Sequence, residues 1–238
     1  MIRDGLKGLL TVLIALLAAS TSPAASAAGF PSLFDTVEYR GGSMGVLPEW
    51  QRVLGDIERE TPLYRQCDHA DGPCEPQALL AWQAMLKSQE GGEPMVQLRA
   101  VNRFVNRWQA RSDLETHERD DHWASPLTFL RHSGDCEDFA IMKYVSLRQL
   151  GFTSETLRVV VVQDVLRDMS HAVLAVHVEG QVLILDNLFQ AVLPQAMVSQ
   201  YLPYYSVNET ARFAHLPPSG VLMATSPWDI APSMVALP

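Results

Sequence analysis

Basic residues are scarce in this chain. Its 238 residues include 18 Lys and Arg against 27 Asp and Glu, which gives a formal net charge of −9. Proteins that bind nucleic acids neutralise phosphates with clustered Lys and Arg, and this sequence has no basic stripe. We therefore expect no nucleic-acid partner.

Long apolar runs are missing as well. The run near the N-terminus, Leu9–Leu17, is shorter than the roughly 20 residues that a membrane-spanning helix needs. It follows Arg3 and Lys7 and precedes Ala25-Ser26-Ala27, which is the order of a signal peptide and its cleavage site. We therefore predict a signal peptide over residues 1–27, an exported protein, and no integral membrane segment after cleavage. An uncleaved N-terminal anchor is the alternative.

Cysteine is also rare. Of the three cysteines, Cys67 and Cys74 flank a turn-rich segment, and in an exported protein we expect them to form a disulfide bond. A metal site of Cys67, His69 and Cys74 is the alternative, although it lacks a fourth ligand at the usual zinc spacing. Cys136 is then unpaired, which makes it a candidate reactive thiol.

The order of the periodic segments predicts the fold class. Apolar residues spaced three and four apart predict helices at 48–60, 77–88, 94–110 and from Cys136 to about 150. β-Branched runs predict strands at 157–162, 171–178 and 181–185. Helices followed by strands indicate an α+β fold, with an N-terminal helical lobe before an antiparallel sheet. We expect one domain over residues 28–215 and an irregular C-terminal tail over 216–238.

The segment Ser133–Phe139 reads as a loop that becomes a helix, with Cys136 on the first helical turn. Cysteine attacks as its thiolate, so a catalytic site must lower the pKa of the thiol. A helix N-terminus helps, because it presents unpaired N–H groups and the positive end of the helix dipole. Cys136 is therefore a candidate nucleophile at a helix N-terminus. The alternative is an inert thiol on the buried side of the helix.

His171 opens one predicted strand and Asp186 follows the next. If Glu179-Gly180 is a two-residue hairpin loop, Asp186 lies opposite Val173, on the face that also carries His171. The two residues are then diagonal neighbours roughly 7–8 Å apart along the backbone. A carboxylate there can fix the imidazole tautomer and leave the other ring nitrogen for the thiol. Taken alone, His171 could equally cap a strand end and Asp186 could make a turn.

Three carboxylates, Asp135, Glu137 and Asp138, crowd the candidate nucleophile. Their negative charge should raise the pKa of the Cys136 thiol, which opposes catalysis. One explanation is structural: Asp135 caps the helix and Asp138 completes a capping box. The other is that a hard cation binds the cluster and cancels its charge. The residues alone leave both explanations open.

Several short segments together carry a family resemblance. They are Trp123–Pro126, Gly134–Ala140, Lys143-Tyr144, Leu150-Gly151, His171–Leu174, Leu185–Leu188 and Tyr201–Pro203. In this combination the chain resembles the bacterial transglutaminase-like cysteine proteinases, and within them the periplasmic proteases that release adhesins. The resemblance covers roughly residues 30–210.

The resemblance implies a papain-like fold and a Cys-His-Asp triad, which falls on Cys136, His171 and Asp186. It implies Ca²⁺ dependence, with Asp135, Glu137 and Asp138 as metal ligands, and so favours the second explanation of the acidic cluster. The implied location is the periplasm. The implied substrate is the N-terminal region of a large biofilm adhesin, cut at a di-alanine site. The implied inhibitor is the periplasmic domain of an inner-membrane cyclic-di-GMP receptor.

Two other functions fit the same residues. One is transglutaminase or amidase chemistry on the same triad, which the transfer of an amine donor would distinguish from hydrolysis. The other is a non-catalytic calcium-dependent binding module, in which the Cys136 thiol would react slowly with an alkylating agent at pH 6. The intact triad favours an enzyme over the binding module.

Overall fold

A computed structural model of the chain describes residues 30–41, 44–66 and 77–217. The predicted signal peptide, the Cys67–Cys74 pair and nearly all of the predicted C-terminal tail lie outside these residues. Within them, no helix has both the length and the apolar character that a membrane span requires.

Helices occupy the first half of the described chain. They are α1 (Pro48–Gln66), α2 (Gln77–Gln89), α3 (Pro94–Val105), α4 (Asp113–His117), α5 (Pro126–His132) and α6 (Cys136–Gln149). Prolines stand at the first position of α3 and α5, where the missing N–H leaves no hydrogen bond unmade.

A seven-stranded antiparallel sheet contains one strand before the helices and six after them. Its strands are β1 (Val37–Arg40), β2 (Leu157–Asp164), β3 (Met169–Val178), β4 (Gln181–Leu185), β5 (Leu193–Pro194), β6 (Tyr201–Val207) and β7 (Arg212–Leu216). They lie in the order β1-β7-β6-β2-β3-β4-β5. The predicted α+β fold, with its helical lobe before an antiparallel sheet, is confirmed.

The predicted register of the β3–β4 hairpin is confirmed. Val178 pairs with Gln181. The two loop residues, Glu179 and Gly180, have φ angles of 51° and 78°, as a type I′ turn requires. This register fixes which residues at the other end of the hairpin lie near each other.

Apolar clusters cover both faces of the sheet. On one face, Val159 and Val161 of β2 join the larger cluster, to which the helices contribute. On the other face, Val160 and Val162 belong to the smaller cluster, which includes Leu33. This alternation is the two-residue period of a strand, and burial on both faces explains why β2 reads as a continuous β-branched run.

Helix α6 lies at the centre of the fold. Every residue from Cys136 to Leu147 is buried, which is the pattern of a helix that is surrounded by other elements. It packs against α3, α5, β2 and β3. The central helix therefore lies against β3, the strand that carries His171.

Several elements differ from the sequence predictions. Helix α1 runs six residues past the predicted end, through Pro62, to Gln66. Helix α3 ends at Val105 instead of 110, and Arg111 beyond it donates its N–H to the Gly134 carbonyl at 2.8 Å. The sheet also contains strands that the sequence did not predict, including β1, β6 and β7.

Strand β7 was missed because its polar residues are buried with partners. Its His215 accepts or donates at both ring nitrogens, which lie 2.9 Å from Ser206 Oγ and 3.0 Å from Thr36 Oγ1. A buried polar side chain is tolerated when it is hydrogen-bonded. The strand therefore lacks the simple apolar alternation that identifies a strand from sequence.

Candidate active site

The loop before α6 places Cys136 at the first position of the helix. Asp135 precedes it in an extended conformation, and its N–H donates to the Asp138 carboxylate at 3.2 Å. The other Asp138 oxygen accepts the Ala124 N–H at 2.6 Å. The capping explanation of Asp138 is therefore correct, although it does not exclude a metal.

Gly134 is required by close packing in this loop. A Cβ added at Gly134 would lie 2.6 Å from Cγ and 2.7 Å from Cβ of Asp138, closer than side-chain carbons approach. Asp138 cannot move aside without losing its bonds to Ala124 and Asp135. The glycine allows the cysteine loop to lie against the first turn of the helix.

His171 and Asp186 form a buried hydrogen-bonded pair. His171 Nε2 lies 2.9 Å from Asp186 Oδ1, as the predicted register requires. Oδ1 also accepts the Leu188 N–H at 2.8 Å, and Oδ2 accepts the Tyr201 hydroxyl at 2.5 Å. Asp186 is thus fixed at both oxygens, and the other His171 nitrogen, Nδ1, is left free of this pair.

These bonds also fix the charge of Asp186. Burial alone would raise the pKa of the carboxyl, but hydrogen bonds from His171 and Tyr201 and the charge of the imidazolium outweigh burial. The net effect holds the pKa of Asp186 below its ordinary value. The group is therefore ionised at neutral pH, as the partner of a histidine base must be.

Cys136 and His171 line the same small cavity, together with Trp123, Val161 and Ala172. The Cys136 thiol donates to Glu137 Oε2 at 3.2 Å. Burial, followed by the charges of Glu137 and Asp135, raises the pKa of the thiol well above its ordinary value. A site with this charge balance favours the neutral thiol, as the sequence predicted.

Five carboxylates converge behind the cysteine: Asp113, Asp121, Asp135, Glu137 and Asp138. Ligand oxygens of Asp113, Asp135 and Asp138 lie within 4.8 Å of one another, and so do those of Asp113, Asp121 and Glu137. Each of Asp113, Asp121, Asp135 and Glu137 has one buried oxygen without a hydrogen-bond partner among the described residues. Such oxygens are costly unless something else binds them.

Burial and mutual repulsion raise the pKa of these carboxyls. The pKa of Asp113 rises to about 7 and that of Asp121 to about 6, with burial as the main cause. The pKa values of Asp135, Glu137 and Asp138 also rise, and burial is again the largest cause. Unpaired oxygens from several carboxylates match the donor set of a hard cation such as Ca²⁺, so the residues present fit a metal.

Asp113 and Asp121 were missed from the sequence as candidate ligands. They lie in the charge-dense segment 111–122, which reads as a solvated connector, yet Asp113 is only 2% exposed. Its carboxylate accepts the backbone N–H of His122. No local pattern separates these two from the exposed acids beside them, because the fold alone brings them to the cysteine loop.

Besides the acidic cluster, the core contains a charged residue of the opposite sign, Lys143. Its side chain is fully buried, and its ammonium has no hydrogen-bond partner among the described residues. The nitrogen lies 5.9 Å from the centre of the Phe139 ring. Burial lowers the pKa of Lys143 to about 7, with the charge of Asp186 acting in the opposite direction.

Comparisons with known proteins identify the family of this chain. The family model described as bacterial transglutaminase-like cysteine proteinase BTLCP matches residues 58–217, which is more than half of the chain. Among curated proteins, none matches.

Solved structures of Legionella pneumophila LapG are similar to this chain. One is 31% identical, covers 73% of this chain and 93% of its own, and has a TM-score of 0.56. A calcium-bound form is 30% identical with coverages of 73% and 95% and a TM-score of 0.56. An EGTA-treated form is 28% identical with coverages of 73% and 94% and a TM-score of 0.55. The chain therefore belongs to the bacterial transglutaminase-like cysteine proteinases.

Proposed function

We propose that this member of the bacterial transglutaminase-like cysteine proteinases is a calcium-dependent endopeptidase that uses Cys136, His171 and Asp186. The observation that carries the proposal is the buried His171–Asp186 pair beside a cavity that Cys136 also lines. Membership of the family supports the reaction class.

The reaction follows from the roles that these side chains can take. Asp186 holds His171 at Nε2, so Nδ1 can accept the proton of the Cys136 thiol. The thiolate sulfur attacks the peptide carbonyl carbon, and the bond to the amine breaks as His171 returns the proton to the leaving nitrogen. Water then hydrolyses the thioester, which releases the acid and restores the thiol.

The start of α6 supplies the second requirement of acyl transfer. Negative charge develops on the carbonyl oxygen in the transition state, and backbone N–H groups aimed at it lower the barrier. The first N–H groups of a helix lack intrahelical partners, and Cys136 is the first residue of α6. We assign the oxyanion donors to these groups.

Calcium is the cation that we propose for the five-carboxylate cluster. Asp135, Glu137 and Asp138 would hold it, with Asp113 and Asp121 contributing further oxygens. When bound there, Ca²⁺ supplies positive charge that offsets the carboxylates beside the thiol. The description of one similar LapG structure as calcium-bound and of another as EGTA-treated supports the choice of cation.

The substrate, location and partner follow from the family resemblance. We propose cleavage at a di-alanine site in the N-terminal region of a large biofilm adhesin, which would release the adhesin from the outer membrane. The predicted signal peptide over 1–27 would deliver the enzyme to the periplasm. There, the periplasmic domain of an inner-membrane cyclic-di-GMP receptor would act as its inhibitor.

One experiment tests these parts together. The purified mature protein is incubated with an adhesin N-terminal fragment in Ca²⁺ or in EGTA, and the products are identified by mass spectrometry. We expect one cut in Ca²⁺, little in EGTA, and none with Cys136→Ala or with a fragment whose two alanines are replaced. Cleavage by Cys136→Ala at the wild-type rate would contradict the protease.

An added primary amine and a glutamine peptide extend the experiment to the alternative chemistry. If the amine is incorporated and the fragment is not cut, the enzyme is a transglutaminase. If the amine is not incorporated, the fragment is not cut and Cys136 is slow to alkylate, the binding module replaces both enzymes.

A further inference from the structure

The loop that carries Asp186 is held from behind by two asparagines. Asn106 Nδ2 donates to the Asp186 carbonyl at 2.8 Å and to the Phe189 carbonyl at 2.9 Å. Asn102 Nδ2 donates to the Phe189 carbonyl at 2.9 Å and to the Gln190 carbonyl at 3.1 Å. Four hydrogen bonds thus connect α3 to the segment 186–190, which we call the acid loop.

The position of the two asparagines explains how one helix reaches the whole loop. They are four residues apart, so both project from the same face of α3. Asn102 is fully buried, and Asn106 caps the C-terminal end of α3. The acid loop begins where β4 ends at Leu185, so its carbonyls need donors from outside the strand.

The side chain of Asp186 is already fixed by three other donors, from His171, Leu188 and Tyr201. Asn106 adds the bond that fixes the main chain of the same residue. Side-chain and main-chain bonds together determine where the carboxylate meets His171. A catalytic constellation tolerates about 0.5 Å of displacement, so the main-chain bond matters for the chemistry as well as for folding.

We propose that Asn106, supported by Asn102, is a positioning residue that holds Asp186 in line with His171 Nε2. The proposal rests on the proposed function, since it concerns the acid of the same triad. Asn106 does not line the cavity that Cys136 and His171 share, and it acts through Asp186. A purely structural role would instead predict lost stability with an unchanged reaction in the molecules that remain folded.

The test compares Asn106→Asp with Gln97→Glu. Asn106→Asp keeps the shape of the side chain and replaces the donor by an oxygen that repels the Asp186 and Phe189 carbonyls. Gln97 is the matched control: it lies on the same helix, is 5% exposed, and donates to the Gln89 carbonyl at 2.8 Å, away from the acid loop. Both changes replace one amide donor by a carboxylate oxygen, at Gln97 within α3 and at Asn106 at its C-terminal cap.

Kinetics with the adhesin fragment gives the first result. We expect Asn106→Asp to lower kcat about 10- to 100-fold, as a misplaced catalytic group does, with KM unchanged. Gln97→Glu should leave kcat unchanged. In an Asp186→Asn background, Asn106→Asp should cost no more than about twofold, because residues that act as a unit are not additive. Full multiplication of the two effects would overturn the proposal.

A readout that does not need hydrolysis separates this proposal from the proposed function. The NMR resonance of the His171 Nε2 proton reports its bond to Asp186. We expect it to shift in Asn106→Asp and to stay in place in Gln97→Glu. An unshifted resonance in Asn106→Asp would refute the positioning role even in a protein that cleaves no peptide. If Asn106→Asp does not fold, Asn106→Ala, which removes the bonds to the Asp186 and Phe189 carbonyls, is measured in the same way and with the same expected shift.

Discussion

Replacing Lys143 by methionine should stabilise the protein at neutral pH. The lysine is fully buried in α6, and its ammonium has no hydrogen-bond partner in the described part of the chain. Methionine has a similar length and fills the same space without a charge. The variant therefore removes a buried charge and leaves the packing of the central helix largely unchanged.

The magnitude follows from the pKa of Lys143, which burial lowers from 10.5 to about 7. One pH unit of difference corresponds to about 1.4 kcal/mol. The unfolded chain holds the proton more tightly than the folded chain, so the free energy of unfolding rises with pH between about 7 and 10.5. The ammonium therefore destabilises the fold by roughly 4 kcal/mol at pH 7, about 2 at pH 9, and close to zero at pH 10.5.

Urea denaturation of the wild type and of Lys143→Met at pH 7, 9 and 10.5 measures this difference. We expect the variant to be more stable by about 4 kcal/mol at pH 7, with the gain shrinking as the pH rises. Lys87→Met is the control, because Lys87 is exposed on α2; its effect should stay within about 0.5 kcal/mol at every pH. A gain that does not depend on pH, or a loss at pH 7, would refute the reasoning.

Three further predictions concern the site. Tyr201→Phe removes the 2.5 Å bond to Asp186, and we expect the free energy of unfolding to fall by about 1–3 kcal/mol. Because the pKa of Asp186 then rises, the acid limb of the pH–rate profile should move to higher pH. An unmoved limb would contradict this. Ca²⁺ at 100 times its Kd should raise Tm by roughly 5–10 °C, and Asp121→Asn should reduce that rise. Equal Tm values in Ca²⁺ and in EGTA would contradict the proposed cation site. Gly134→Ala should abolish cleavage and the calcium-induced rise in Tm together, since its Cβ displaces Asp138; retention of both would show that the loop can relax.

Local chemistry made much of the fold predictable. Helix α6 was placed from the loop signal before Cys136, and the hairpin register from the turn residues Glu179-Gly180. That register brought His171 next to Asp186, and their 2.9 Å contact followed from it. In each case a short segment contains the residues that decide its own geometry.

The remainder depends on contacts between distant segments. Asp113 reads as one charge among many exposed ones, yet it is buried against the cysteine loop. Tyr201 lies in a strand that the sequence did not predict, and Asn106 reads as a helical polar residue; only the tertiary fold brings them to Asp186. In strand β7, the buried His215 is paired with Thr36, just before β1, and with Ser206 of β6. No periodic pattern in the sequence predicts these pairings.

The most direct test of the account is the alkylation of Cys136 by iodoacetamide at pH 6 in Ca²⁺, followed by peptide mass mapping that separates it from Cys67 and Cys74. A thiolate activated by its imidazole partner reacts at this pH, whereas an ordinary thiol is almost inert. We predict that Cys136 in the wild type is modified at least about tenfold faster than in His171→Ala. Equal rates in the two proteins would contradict the Cys136–His171–Asp186 triad.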